Sequence, residues 1–336
     1  MKKIIYILTL ALMAMFTFSC QDDPWDDISD GAWNKEHRVI SIKFEGQAGL
    51  PTIENIDQTT GTIDLQLATD WVADFSQVEV LNLELSYDGI SSISEGDKID
   101  FSGENPSFSV SSPNGQTRTY TINMTKFSES LCGYYSITGS KVWGGTGPEY
   151  GGGALMSPEI KSWYWNTNGY GPTAEYDDYI EISLTGLTDD GNTEGKCIHY
   201  GGEDAKHWNC IFAASQNKEG TDPIDLKKYY RQIPIGESTW LRDYTNNTIT
   251  FTSSDGVKTT CTLLESGDYE VYSGENLSVT DYAFNFTLNG VDDWTNIYSD
   301  YDKFAKKARN FFVLIKKCDE IPEASKTTGI DIDPAE

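Results

Sequence analysis

The chain has 336 residues, with 25 Lys and Arg against 52 Asp and Glu, which gives a formal charge of −27. This acidity argues against nucleic-acid binding, because contact with phosphates needs clustered basic residues and the sequence has no basic stripe. Hydrophobic residues make up 38% of the chain, enough for packed cores, so general disorder is excluded. Three His and six Cys favour neither a zinc enzyme nor a small disulfide-rich protein.

The first residues predict an export signal with a lipid-attachment site. Lys2 and Lys3 form a basic start, and the apolar run that follows is too short to span a membrane as a helix. The end of this run, Phe18-Ser19-Cys20, resembles a bacterial lipobox, in which the Cys is acylated and becomes the new N-terminus. We therefore predict a signal peptide over residues 1–19 and lipidation of Cys20, with an ordinary secretory signal as the alternative.

Residues 20–36 are predicted to form an acidic tether. Its start, Gln21-Asp22-Asp23-Pro24-Trp25-Asp26-Asp27, resembles the acidic export tag that follows the lipid-bearing Cys in outer-membrane lipoproteins of glycan-foraging Gram-negative bacteria. The resemblance implies a protein that is lipid-anchored in the outer membrane and faces the cell exterior.

Residues 37–128 are predicted to form an immunoglobulin-like (Ig-like) β-sandwich. Short runs such as Thr62–Leu67 and Val78–Leu85 alternate between apolar and polar side chains, and turn signals such as Asp88-Gly89 separate them. The order of these features also resembles the Ig-like module that follows the lipid anchor in many such lipoproteins. The resemblance implies that this domain is mostly a spacer.

Residues 129–319 are predicted to form a larger all-β domain. About eight or nine short strands, with turn signals such as Asp255-Gly256, favour an antiparallel β-sandwich or jelly roll, with a β-barrel as the alternative. Residues 301–309 give a weak helical signal. The acidic tail, residues 320–336, shows no periodicity and is predicted to be disordered.

Three Gly-rich loops of this domain carry aromatic and short polar side chains together. A pyranose ring has a flat apolar face and a rim of hydroxyls, so aromatic rings and short polar side chains suit it. The candidate residues for stacking are Trp143, Trp163, Trp165, Tyr170 and Trp208. The candidate hydrogen-bonding residues are Asn166, Glu203, Asp204, Asn209 and Arg231. The alternatives are that the rings belong to the core and that Arg231 pairs with a neighbouring Asp.

The sequence predicts no metal ligands and no cofactor. His199 and His207 match no zinc motif, and Cys197 and Cys210 nearby form no paired metal motif. The segment from Asp190 is not an EF-hand, and a structural calcium ion remains open without any assigned ligands. Disulfide pairing is also open, and it concerns Cys132, Cys197, Cys210, Cys261 and Cys318.

The whole plan resembles the cell-surface glycan-binding lipoproteins of polysaccharide-utilisation systems. The resemblance implies non-catalytic binding of a polysaccharide or oligosaccharide by the C-terminal domain, with the outer membrane and a transporter complex as further partners. A glycoside hydrolase or lyase is one alternative, but no motif ties two carboxylates to one cleft. A structural or assembly lipoprotein that docks onto a protein partner is the other.

Overall fold

The computed structural model describes residues 33–165, 170–213 and 223–330, with the backbone alone for residues 162–164. The predicted signal peptide, Cys20 and most of the tether therefore lie outside the described residues, together with Asn166 and the Trp163 side chain. Within those described ranges, no helix has the length and apolar character of a membrane span. The chain divides into two compact units, Met1–Phe127 and Ser128–Glu336. Strands dominate the described parts of both, which confirms the all-β prediction.

The first unit is a sandwich of two sheets. One sheet consists, in spatial order, of Val39–Phe44 (β1), Val78–Leu85 (β4) and Lys98–Ile99 (β6). The other consists of Gln47–Glu54 (β2), Thr60–Ala68 (β3), Thr117–Phe127 (β8), Ser107–Ser111 (β7) and Ile90–Ser91 (β5). Strands β3 and β8 run parallel, and the other neighbours run antiparallel. Alternate side chains of both sheets fill one core, as the period-2 pattern predicts.

The described part of the second unit is built on a closed antiparallel barrel of eight strands. In order around the barrel they are Gly133–Gly144 (β9), Tyr179–Leu187 (β11), Thr193–Tyr200 (β12), Gly236–Asp243 (β15), Thr248–Thr252 (β16), Lys258–Leu264 (β17), Tyr282–Thr287 (β20) and Ala308–Cys318 (β21). The barrel closes because β21 pairs with both β20 and β9. Barrel strands that follow one another along the chain also lie side by side in the sheet. This order is that of a barrel, which was the predicted alternative, and not that of a jelly roll.

Short elements surround the barrel. Ala154–Met156 (β10) pairs with β9, Ile211–Phe212 (β13) pairs with Ile224–Asp225 (β14), and Gly267–Tyr272 (β18) forms a hairpin with Glu275–Val279 (β19). The helical segments are short: Lys227–Tyr230 (α1), the 3-10 segments Pro148–Tyr150, Pro158–Tyr164, Pro172–Glu175 and Glu323–Ser325, and a π-helical turn at Asp302–Lys306. The weak helix expected over residues 301–309 is limited to that turn, because β21 already begins at Ala308.

The barrel interior is filled with apolar side chains. In β16, Ile249 and Phe251 point inward and the three threonines that alternate with them are half-buried, which is the alternation that the sequence shows. Cys197 is buried in the same core, and burial raises the pKa of its thiol to about 12. The Cys210 Sγ donates a hydrogen bond to the Trp208 carbonyl at 3.4 Å, as a thiol does.

The C-terminal segment over residues 320–330 is ordered, which corrects the prediction of a disordered tail for this range. Ile321 and Ser325 are buried. The Thr327 carbonyl accepts a hydrogen bond from the Gly201 amide, and the Ile330 carbonyl accepts one from the His207 amide, both at 3.0 Å. The segment is held mainly through its backbone, so its side-chain pattern shows no period. Residues 331–336 lie outside the described residues.

Candidate ligand-binding surfaces of the barrel

Three of the predicted stacking residues lie in the interior. The exposed fractions of Trp143, Trp165 and Trp208 are 4%, 2% and 1%. A sugar ring can stack only on a ring face that solvent reaches, so the expectation that these indoles present bare faces is wrong. For these three rings, the alternative of core residues is the one that the structure supports.

Trp165 and Trp208 pack in the same core as the barrel strands. Their ring centroids are 4.7 Å apart in an edge-to-face arrangement, and the Trp208 ring stacks on Tyr230 at 4.8 Å. The Trp165 Nε1 donates a hydrogen bond to the Pro158 carbonyl at 3.0 Å. The polar loops that carry Trp165 and Trp208 therefore turn these two indole rings into the barrel core.

Trp143 points away from the barrel interior but is covered from outside. The next residue toward the N-terminus, Val142, belongs to the barrel core, whereas Trp143 packs in a separate cluster with Leu277 and Val279 of β19. The Tyr272 ring of β18 stacks on it with centroids 5.6 Å apart. The hairpin β18–β19 thus occupies the ring face that a sugar would need.

Two of the predicted polar residues stabilise the fold. The Asn209 side chain is buried, and its Oδ1 accepts a hydrogen bond from the Ile211 amide at 3.1 Å. An Arg231 Nη1 donates to the Glu175 carboxylate at 2.6 Å, and its Nη2 donates to the Trp208 carbonyl. Arg231 therefore pairs with an acidic side chain inside the protein, but its partner is Glu175 and not the neighbouring Asp of the alternative.

Glu203 and Asp204 are exposed on a turn. The Asp177 Oδ2 accepts hydrogen bonds from both of their amides, at 2.7 and 3.1 Å. Partial burial and the nearby Asp177 carboxylate raise the pKa of Asp204. Tyr170 is half-buried, with the Lys206 ammonium 5.7 Å from the centre of its ring. The structure brings these residues together as a carboxylate-capped turn, and their role in binding stays a prediction.

A different set of aromatic residues is exposed. Tyr150, Trp294 and Tyr298 have exposed fractions of 66%, 61% and 69%, and we call them the aromatic patch. Tyr150 belongs to the Gly-rich loop after β9, and the other two belong to the connection between β20 and β21. Contiguous exposed aromatic residues of this size commonly mark a binding surface.

Two rings of the aromatic patch meet at Gly147, and the third is linked to the same loop. A Cβ on this glycine would lie 3.0 Å from the Cη2 of Trp294 and 3.2 Å from the Cδ2 of Tyr150, so two rings approach the same backbone position. Gly147 also has a φ of +54°, which favours glycine. The Tyr298 hydroxyl donates to the Tyr150 carbonyl at 3.2 Å, which ties the third ring to the loop.

A buried carboxylate braces the two segments that carry the patch. Asp302 accepts hydrogen bonds from the amide and the hydroxyl of Thr146, at 2.7 and 2.9 Å. The Thr146 hydroxyl in turn accepts one from the Asp293 amide at 2.8 Å. Burial raises the pKa of Asp302, although the hydrogen bonds from Thr146 oppose this shift. The patch therefore rests on a fixed loop, with the exposed acid Glu149 beside it in sequence.

Sequence reasoning missed this patch. The prediction favoured Gly-rich loops that carry Trp, and Trp294 lies outside those loops. The available signal was Asp292-Asp293-Trp294, a ring in a strongly polar run outside any alternating strand.

A cleft of about 780 Å³ lies at α1 and the turn between β16 and β17. Its lining combines three lysines, Lys227, Lys228 and Lys258, with apolar residues such as Val257 and Leu288. In so acidic a chain, three ammonium groups around one cleft would suit an anionic group.

The structure also brings together a set of potential metal ligands. Asp178, His199 and His207 are buried, and one ligand atom from each lies within 4.8 Å of the others. The two histidines were considered as metal ligands in the sequence, but Asp178 comes from a third segment and was not connected with them.

No protein-family model and no curated protein matches the chain. A solved structure that matches is that of a provisionally assigned glycoside hydrolase from Bacteroides thetaiotaomicron. The identity is 12% and the TM-score 0.24, over 86% of this chain and 98% of that one. A likeness at this level indicates nothing about the function of this chain.

Proposed function

We propose that the barrel binds a glycan without catalysis, through the aromatic patch of Tyr150, Trp294 and Tyr298. The observation that carries the proposal is the exposure of these three rings, each above three-fifths, around one braced loop. Exposed rings of this size are costly to leave in water, and a sugar ring offers the apolar C–H face that matches them. In this proposal the predicted lipid anchor and the Ig-like unit hold the barrel at the outer surface of the cell.

The surroundings of the patch supply hydrogen-bond acceptors for sugar hydroxyls. The exposed Glu149 adjoins Tyr150, and Asp292 is half-exposed, 3.7 Å from the Lys307 ammonium. The hydrogen bonds between Thr146, Asp302 and Asp293 fix the loop before any ligand arrives. A preformed site loses less conformational entropy on binding, which favours affinity.

The test is titration of the purified chain against a panel of neutral and uronate-bearing polysaccharides by calorimetry. Trp294→Ala should weaken binding about tenfold or more, which corresponds to about 1.4 kcal/mol. The matched control is Trp71→Ala, which removes a 47% exposed ring from the first unit and should leave the affinity unchanged. Tyr298→Phe keeps the ring and removes only the hydroxyl.

Two outcomes would count against the proposal. One is an absence of binding to every polysaccharide, and the other is binding that Trp294→Ala leaves unaltered. Release of reducing ends or unsaturated products would favour the alternative of a hydrolase or lyase. Loss of binding to uronate-bearing glycans alone in Lys228→Ala would locate the ligand at the lysine cleft instead.

A further inference from the structure

A buried cluster in the second unit contains two imidazoles and one carboxylate. Asp178 immediately precedes β11, His199 lies in β12, and His207 lies in the loop that follows. Their exposed fractions are 0%, 2% and 0%. The Asp178 Oδ2 is 3.0 Å from the His199 Nε2 and 2.8 Å from the His207 Nδ1. Three chain segments thus direct potential ligands to one point.

Hydrogen bonds alone account poorly for these groups. A single oxygen, the Asp178 Oδ2, meets both imidazoles, while the Asp178 Oδ1 and the His199 Nδ1 are buried without a hydrogen-bond partner. The second ring nitrogen of His207, Nε2, faces the Thr328 carbonyl at 3.3 Å. Because both neighbours of His207 are acceptors, hydrogen bonding would require a proton on each of its nitrogens. Buried polar groups normally find partners, so the unpartnered Oδ1 calls for an explanation.

We propose that this cluster is a structural zinc site. Zinc would take the His199 Nε2, the His207 Nδ1 and the Asp178 carboxylate, which are ligand types that zinc prefers. Bidentate binding by the Asp178 carboxylate would give its Oδ1 a partner and would supply the fourth donor atom that a structural zinc ion needs. With the ion bound at Nδ1, the His207 Nε2–H would donate to the Thr328 carbonyl, and such a bond from the outer nitrogen is the usual support of a metal-bound histidine. The His199 Nδ1 would be the one atom of the cluster still lacking a partner.

The C-terminal segment closes the site. Its backbone pairs with Gly201 and with His207, and a Cβ on Gly329 would lie 2.2 Å from the His207 Nε2. This close approach leaves no room for a substrate beside the ring. The proposed ion therefore has a structural role, in which it joins β11, β12 and the following loop and supports the segment over residues 320–330.

Zinc content tests the proposal directly. The purified full chain, refolded with a small excess of zinc and then desalted, should hold one zinc per chain, and a strong chelator should lower its unfolding temperature. Asp178→Asn and His207→Gln should bind zinc at least about 100-fold more weakly, since even outer partners of a ligand contribute 10–100-fold. The matched control is His37→Gln, a buried histidine of the first unit, which should retain the zinc.

If the ligand variants fail to fold, metal binding by the wild-type chain still tests the proposal. Cobalt(II) bound at the cluster should give a visible absorption band that zinc displaces. The proposal is overturned if the wild-type chain holds much less than one zinc and shows no cobalt band. It is also overturned if folded Asp178→Asn retains zinc as well as the wild type. Both outcomes are independent of glycan binding.

Discussion

Trp165→Ala tests whether an indole that the sequence suggested for sugar binding is instead part of the core. The ring is 2% exposed, and its centroid lies within 5.7 Å of four other aromatic rings, those of Trp208, Phe212, Tyr230 and Phe304. Truncation of a buried aromatic residue costs about 3–5 kcal/mol. Loss of the hydrogen bond to the Pro158 carbonyl adds about 1 kcal/mol. We therefore expect a loss of about 4 kcal/mol or more in the free energy of unfolding.

Scanning calorimetry of the full chain measures this effect. For a unit of this size each kcal/mol lowers the Tm by about 2–4 °C, so the transition of the second unit should fall by about 8 °C or more. Trp294→Ala is the control, because its ring is 61% exposed and its loss should change stability by less than about 0.5 kcal/mol. A loss below about 1 kcal/mol in Trp165→Ala would refute the burial of the ring and restore its candidacy for stacking.

Two further predictions concern the same unit. Burial of Glu129 opposes its ionisation and by itself would raise its pKa. Other contacts outweigh burial and lower the pKa below the ordinary 4.5. They are hydrogen bonds from Thr193, Tyr244 and the Leu131 amide, and the positive charge of Arg242. The stabilisation is therefore complete above that ordinary value and is lost as pH falls through the folded pKa. Glu129→Gln should cost about 1–3 kcal/mol at neutral pH and progressively less in acid, and an equal cost at both pH values in urea unfolding would contradict this. Gly153→Ala would place a Cβ 2.6 Å from the Trp143 Cη2 and should lower the free energy of unfolding by about 1–3 kcal/mol. Gly171→Ala is the control and should be neutral or slightly stabilising, because Gly171 has open space around it and a φ of −75°. Similar Tm values for the two variants would contradict the packing of Gly153 against Trp143.

The strands of this protein could be read from its sequence with good accuracy. Thr62–Leu67 and Val78–Leu85 alternate in sequence and lie in β3 and β4. Asp255-Gly256 was recognised as a turn, and Gly256 has a φ of +86°, which favours glycine there. Such features depend on neighbouring residues alone, so local side-chain pattern and backbone preference are sufficient to predict them.

The aromatic residues show where this reasoning ends. Alternation along β9 assigns Val142 and Trp143 to opposite faces, but it does not say that the hairpin β18–β19 covers the outer face. Similarly, the exposure of Trp294 depends on how the connection between β20 and β21 packs against Gly147. For both of these rings, exposure to solvent is decided by residues more than a hundred positions away, which no local pattern contains.

The sequence by itself thus determined the all-β class, the main strands and the chemistry of the side chains available. Tertiary structure alone decided the closure of the barrel, because β9 and β21 pair across more than 160 residues. It also decided which rings reach solvent and that Asp178 meets His199 and His207. The physical reason is that strand formation follows from local periodicity, whereas burial and ligand geometry follow from contacts between distant segments.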